Sequence, residues 1–249
     1  GFDPAAVDAL PPLIRFGTWI GGDRDGHPFV TAEVTEKSLR SLRHNALRIH
    51  RRSLEKLAYH SPLSSLFQNP PASLDELIQR LTGSLPGGAD VDYILERNRE
   101  EPWRAAAYLM RAKVLLAMKQ GAPGGYERVD QLKADLEVYA AALSGVGADG
   151  LVREFIVPFQ RQLTAFGFHS AVLDVRQNSA FHEKALEQLL RAAGLLNGRP
   201  LAEWPLEEKR ALLERELLSP RPFLAPGVSA GPEADTVLAC YRVLRDQQA

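Results

Sequence analysis

The sequence predicts a mainly helical protein with a few parallel β-strands, organised in the manner of a β/α barrel. Two short apolar runs, one at Ile14 to Ile20 and one opening at Phe168, each end in a polar loop and then enter a helical pattern. Between and after them, apolar residues recur at the three-to-four-residue spacing of amphipathic helices. The strand-loop-helix order places the charged loops at the C-terminal ends of the strands, where barrels of this kind carry their chemistry.

Ile14 to Ile20 is too short for a useful helix and stops at Gly21-Gly22, so it reads as a buried strand. Thr31 then caps a helix to His60, with Leu39, Leu42, Ala46, Ile49, Leu54 and Leu57 on one face. Ser73-Leu-Asp-Glu76 spells a capping box for a short helix ending near Gly83. Another helix starts near Asp92, and Pro102 opens the next, since proline's missing N–H costs nothing in a first turn. After the Gly121–Gly125 loop, helices are expected over Glu127–Ser144 and Asp149–Phe166, the latter interrupted at Pro158. Gly167 releases the chain into the second strand. Helices follow from Ala180 to Gly194, from Leu206 to Leu218 and from Glu233 toward Asp246, with a proline- and glycine-rich connector at Pro220–Pro232.

Composition narrows the function classes. The 249 residues, 45% hydrophobic, suffice for a sizeable core. Thirty basic and 31 acidic residues nearly cancel, so no global field draws the chain to nucleic acid or to an anionic membrane. The single Cys240 excludes an internal disulfide and a thiolate-rich zinc site and fits a reducing, cytoplasmic compartment. No apolar run of about 18 residues is present to span a bilayer, and no secretory signal is visible at Gly1-Phe-Asp-Pro4.

Two stretches carry chemistry. In Arg15-Phe-Gly-Thr-Trp-Ile-Gly-Gly-Asp-Arg-Asp-Gly-His-Pro28, the glycines Gly21, Gly22 and Gly26 let backbone approach a ligand, and Asp23, Arg24 and Asp25 supply charge. A tight turn whose aspartates cap the next helix and pair with Arg24 explains the same residues. Calcium does not: Asp23-x-Asp25 resembles the start of an EF-hand loop, but Pro28 stands where glycine is required and Val34 where glutamate is. In Phe168-His-Ser-Ala-Val-Leu-Asp-Val-Arg-Gln-Asn-Ser179, strand alternation puts Asp174 and Arg176 on one face and Leu173 and Val175 on the other. A guanidinium there suits a phosphorylated substrate, and an ion pair with Asp174 suits it equally. Five of the six histidines, His44, His50, His60, His169 and His182, show no metal-ligand spacing with one another. Residues 37–56 carry Lys37, Arg40, Arg43, Arg48, Arg51, Arg52 and Lys56, a basic face that is either solvated and paired or an effector or subunit contact.

These two stretches are where a family resemblance lies. Thr18-Trp-Ile-Gly-Gly-Asp-Arg-Asp-Gly26 resembles the tryptophan-glycine-glycine-aspartate-arginine-aspartate-glycine motif of phosphoenolpyruvate carboxylase, and Leu173-Asp-Val-Arg-Gln177 resembles its leucine-aspartate-isoleucine-arginine-glutamine motif. The resemblance covers essentially all of the chain, which reads as an internal fragment, 1–249, of a polypeptide several times longer, with strand-loop-helix units at 14–60 and 168–194. It implies a partial β/α barrel of the phosphoenolpyruvate carboxylase type, part of a cytoplasmic, tetrameric enzyme that converts phosphoenolpyruvate and bicarbonate to oxaloacetate and phosphate. It further implies that Arg176 binds the substrate phosphate and that Trp19 walls the bicarbonate pocket, with Arg24 and Asp174 beside the substrate. Mg or Mn serves as cofactor, with its ligands outside this segment. His27 stands where the family usually has asparagine, and the family's catalytic histidine motif is absent. The fragment alone is therefore expected to be inactive. The competing reading is a non-catalytic helical scaffold or anion-binding relative.

Overall fold

The computed structural model describes residues 13–248 apart from 120, 197, 223 and 226, and 63% of the chain is helical. The described elements are β1 (Gly17–Thr18), α1 (Ala32–His60), α2 (Ala72–Ser84), α3 (Ala89–Arg97), α4 (Pro102–Ala117) and α5 (Val129–Ser144). There follow α6 (Asp149–Leu151), a π-helical turn (Val152–Ile156), α7 (Val157–Phe166), β2 (Val172–Leu173), α8 (Ser179–Ala192), a 3-10 turn (Leu201–Glu203), α9 (Leu206–Leu217) and α10 (Pro232–Gln248). The two strands form a small parallel sheet. Two compact units result, one comprising the chain up to Gly17 with Arg40–Val172, the other comprising Thr18–Leu39 and everything from Leu173 on. No helix is long and apolar enough to cross a membrane among the described residues.

The larger unit has a helical core. Leu47, Leu54 and Leu57 of α1 join Leu74, Leu77 and Leu81 of α2 around Trp103, Leu109 and Met110 of α4. The face of α1 predicted from periodicity is the buried one, with Leu47 and His50 completing it. Asp135 of α5 is almost wholly buried, and its charge is answered by Arg80 at 2.6 Å and by the Tyr126 hydroxyl at 2.6 Å.

Several boundaries differ from the sequence reading, each for a local reason. The Ser73–Glu76 capping box does not form: α2 starts at Ala72, with Pro71 in extended backbone at the N-cap and no side-chain cap, which leaves Ser73 inside the first turn. α3 begins at Ala89, ahead of Asp92. α5 begins at Val129, because the Gln131 side chain takes the amides of Glu127 at 2.8 Å and Arg128 at 3.2 Å. The interruption predicted at Pro158 appears one turn earlier as the π-helical turn Val152–Ile156: a proline cannot donate to the carbonyl four residues back, and the wider turn makes room for its ring.

Both strands are far shorter than predicted, and neither is buried. Ile14 and Ile20 are exposed, Phe16 keeps only a stacking contact with Phe166 at 5.3 Å, and Val172 is exposed on β2. Among the described residues no further strand flanks the pair to cover these apolar side chains. The second strand is also delayed, since Phe168 sits in the core and Ser170 adopts φ 56°, held by its hydroxyl bond to the Leu42 carbonyl at 3.0 Å.

His50 is buried in this unit, its Nε2 2.6 Å from the Gly167 carbonyl and its Nδ1 3.0 Å from the Gln162 amide. Burial lowers its pKa, the Gly167 bond opposing this, and burial followed by the Arg43 charge lowers that of His169. Both groups are therefore better protonated unfolded than folded. Their contribution is intact above pH 6.5, the usual value, and is lost as pH falls through it toward the lowered folded values. Urea unfolding across this range should show stability falling with acid, by at most about 1.4 kcal/mol per pH unit for the buried His50, while the exposed and solvent-screened His169 adds less. His50→Gln should flatten the slope, whatever it does to absolute stability.

Candidate functional site

Backbone pairing brings the two charged motifs together. Within the unit built from Thr18–Leu39 and the chain from Leu173 on, the Asp174 amide bonds the Thr18 carbonyl at 2.8 Å. The Arg176 amide bonds that of Gly22 at 3.0 Å, and the Arg24 amide bonds that of Arg176 at 3.0 Å. Asp23 and Arg176 thus form a parallel bridge that carries the ladder past β1 and β2.

Two glycines permit this approach. A Cβ on Gly22 would lie 2.1 Å from the Asp174 carbonyl oxygen, a backbone atom that cannot move aside. Gly21 has φ +82°, and a Cβ there would lie 1.9 Å from Ser38 Oγ. The turn is closed by the Trp19 carbonyl, which accepts the amides of Gly22 at 2.9 Å and Asp23 at 3.1 Å.

Arg176 and Asp174 project together, as alternation predicts. The Arg176 Nη2 donates to Asp174 Oδ2 at 2.7 Å, and Nη1 is 3.9 Å from Asp23 Oδ2. The bond to Asp174, its charge, and more weakly the charge of Asp23 raise the Arg176 pKa. The guanidinium side chain remains 53% exposed, so the pair is a surface one and holds the group in place without consuming it. Trp19 is 60% exposed, on the turn and not in a core. His27 is exposed on the far side of the loop, edge-on to Phe29 at 5.9 Å.

Arg24 goes the other way. It is only 7% exposed, and its Nη2 donates to Thr35 Oγ1 at 2.5 Å. The Thr35 hydroxyl is within 2.7 Å of the Gly21 carbonyl, so one buried threonine ties the arginine to the turn. The loop aspartates neither cap α1 nor pair with Arg24 among the described residues. Asp23 Oδ1 accepts the Asp25 amide at 3.1 Å, Asp25 Oδ1 accepts from Asn178 Nδ2 at 3.3 Å, and Thr31 Oγ1 accepts the Val34 amide at 3.4 Å as the helix cap. Asn178 also caps α8 through the Ala180 amide at 2.9 Å.

Thr35 and Asn178 are the site residues that the sequence reading missed. Thr35 had a signal, since it falls in register with Leu39, Leu42 and Ala46 on the inward stripe of α1. Asn178 had one as an N-cap before the helical pattern, but nothing local tied it to Asp25.

The acids Asp23, Asp25 and Asp174 do not compose a metal centre: no group of three or more His, Cys, Asp or Glu able to hold a metal occurs among the described residues. The arrangement's chemical capacity is anion recognition, through one exposed, carboxylate-held guanidinium on a rigid backbone ladder.

Comparison with known proteins agrees with the paired motifs. A family model described as phosphoenolpyruvate carboxylase matches residues 4–249. The chain is 32% identical to the phosphoenolpyruvate carboxylase of Azorhizobium caulinodans, aligning over 100% of this chain and 27% of the relative. It is 36% identical to that of Rhodopseudomonas palustris strain BisB5, over 88% of this chain and 23% of the relative. With the Roseiflexus castenholzii carboxylase it shares 32% identity over 94% of this chain and 26% of the relative. The chain thus spans about a quarter of the length of the curated relatives it matches.

Gly22→Ala should break the ladder at the Asp174 carbonyl and destabilise the protein by about 1–3 kcal/mol, the usual range for forcing atoms into packed space. Hydrogen exchange should show the Arg24 and Arg176 amides losing protection together. With residues 4–249 matched by the family model, the chain belongs to the phosphoenolpyruvate carboxylase family.

Proposed function

We propose that this chain is the part of a phosphoenolpyruvate carboxylase that presents Arg176 to the substrate phosphate. The reaction joins phosphoenolpyruvate and bicarbonate to give oxaloacetate and phosphate. The observation that carries the reading is the Asp174–Arg176–Asp23 cluster, in which two carboxylates orient a guanidinium that stays half exposed. An exposed pair of this kind is worth only about 0–1 kcal/mol, so a phosphate dianion, with bidentate geometry and greater charge, competes well for the same donors.

The other residues follow from their positions. Trp19, exposed on the turn, offers an apolar wall to the smaller substrate, bicarbonate and the carbon dioxide formed from it. Gly21, Gly22, Asp23, Asp25 and Gly26 hold the loop that carries Trp19 and pairs with the Arg176 backbone. Arg24 lies beneath the loop, fixing it through Thr35 and adding positive potential from below. Proton transfers and the metal, Mg or Mn, are assigned to the rest of the polypeptide by the family reading. The metal would neutralise phosphoryl charge when bound. The exposed apolar side chains of Ile14 and Ile20, flanking β1, and of Val172 on β2 support a place in a larger barrel completed by the other strands. A cytoplasmic tetramer is the assembly the family reading implies.

In the full-length protein, Arg176→Ala should lower kcat/KM for phosphoenolpyruvate by roughly 10- to 150-fold, the equivalent of the 1.5–3 kcal/mol expected of a hydrogen bond to a charged group. Arg176→Lys should recover only part, because an ammonium cannot grip two oxygens at once. Unchanged kinetics in both would leave Arg176 as a structural ion pair. The 249-residue chain on its own should form no oxaloacetate above a blank.

A further inference from the structure

Arg24 and Asp135 both carry charge in nearly complete burial, and their surroundings differ. Asp135 has Arg80 and Tyr126 as partners. Arg24 has the Thr35 hydroxyl on Nη2, while its Nε and Nη1 are buried with no hydrogen-bond partner. No carboxylate pairs with it among the described residues. A buried, uncompensated guanidinium is costly, and proteins ordinarily answer it with an anion.

The side chain opens on a cleft of about 110 Å³ between the β2–α8 segment and α10, lined by Arg24, Gln177, His182, Thr236, Cys240 and Tyr241, with Arg176 at its rim. That volume holds a few water-sized particles and falls well short of the roughly 300–1,000 Å³ of sites for drug-sized ligands. Cys240 sits beside the guanidinium, and sulfur is too weak an acceptor to satisfy two N–H groups. Nor does the thiol serve as counter-ion: burial raises its pKa, and the opposing pull of Arg24 is smaller.

We propose that this cleft binds one small monovalent inorganic anion of halide size, held by Nε and Nη1 of Arg24 against the Cys240 thiol. Arg176 also lines the cleft, but its charge is already answered by Asp174 and Asp23, so the one uncompensated charge of Arg24 sets the valence and the cleft sets the size. The site shares Arg176 with the exposed face, but its donors are the buried nitrogens of Arg24, and it does not rest on the assignment of Arg176 to phosphoenolpyruvate.

Cys240 is the chain's single cysteine and so reports on the site directly. The rate at which an aromatic disulfide reagent labels Cys240 in the 249-residue chain should be followed as chloride replaces gluconate at constant ionic strength. Binding to the closed state should slow labelling saturably, roughly tenfold at ten times the dissociation constant. Bromide and nitrate should act as chloride does and sulfate should not. Arg24→Gln should abolish the protection. In Cys240→Ser, chloride-35 resonance broadening should persist, showing the ion independently of the thiol. Equal rates in chloride and gluconate, equal protection by sulfate, or protection that survives Arg24→Gln would each overturn the proposal.

Discussion

The parallel pairing of the 16–24 segment with residues 172–176 is the constraint on which the rest of the site depends. The ladder works only because Gly22 has no side chain, its backbone lying where a Cβ would strike the Asp174 carbonyl. Through that contact, residues more than 150 positions apart share one surface, as the Asn178 to Asp25 hydrogen bond shows. Without it, Asp23 would have no reason to lie near Arg176, and the exposed cation would lose one of its two holders.

The ladder also sorts two arginines into different roles. Arg176 extends outward on the strand face shared with Asp174, where exposure keeps the ion pair weak and exchangeable. Arg24, one bridge away, turns inward to Thr35 on the buried stripe of α1. The same residue type is thus a half-exposed surface pair in one case and an internal charge in the other. Solvent access decides which, because the cost of an unpaired charge rises steeply as water is withdrawn.

Much of this was legible in the sequence, and the limits have physical causes. Helices such as α1, α4 and α8 were readable because periodicity, Thr31, Pro102 and Gly194 mark their faces and ends. Strand length was not, since an apolar run such as Ile14 to Ile20 looks like a buried strand whether or not neighbours exist to bury it. The Asp174 and Arg176 pair was readable from alternation alone, and it formed. The inward course of Arg24 was hidden, because it rests on Thr35 eleven residues away. Helix starts shifted where signals overlapped: α2 began two residues ahead of the position the Ser73 capping box needs, and Gln131 trimmed α5 by capturing two amides.

The measurement that bears most directly on the central claim is a crystal structure of the full-length polypeptide with a non-reactive phosphoenolpyruvate analogue. The account predicts the Arg176 guanidinium at about 2.7–2.9 Å from two phosphate oxygens, with the Gly22–Arg176 ladder intact beneath it. A phosphate bound elsewhere, with Arg176 still paired only to Asp174 and Asp23, would contradict it.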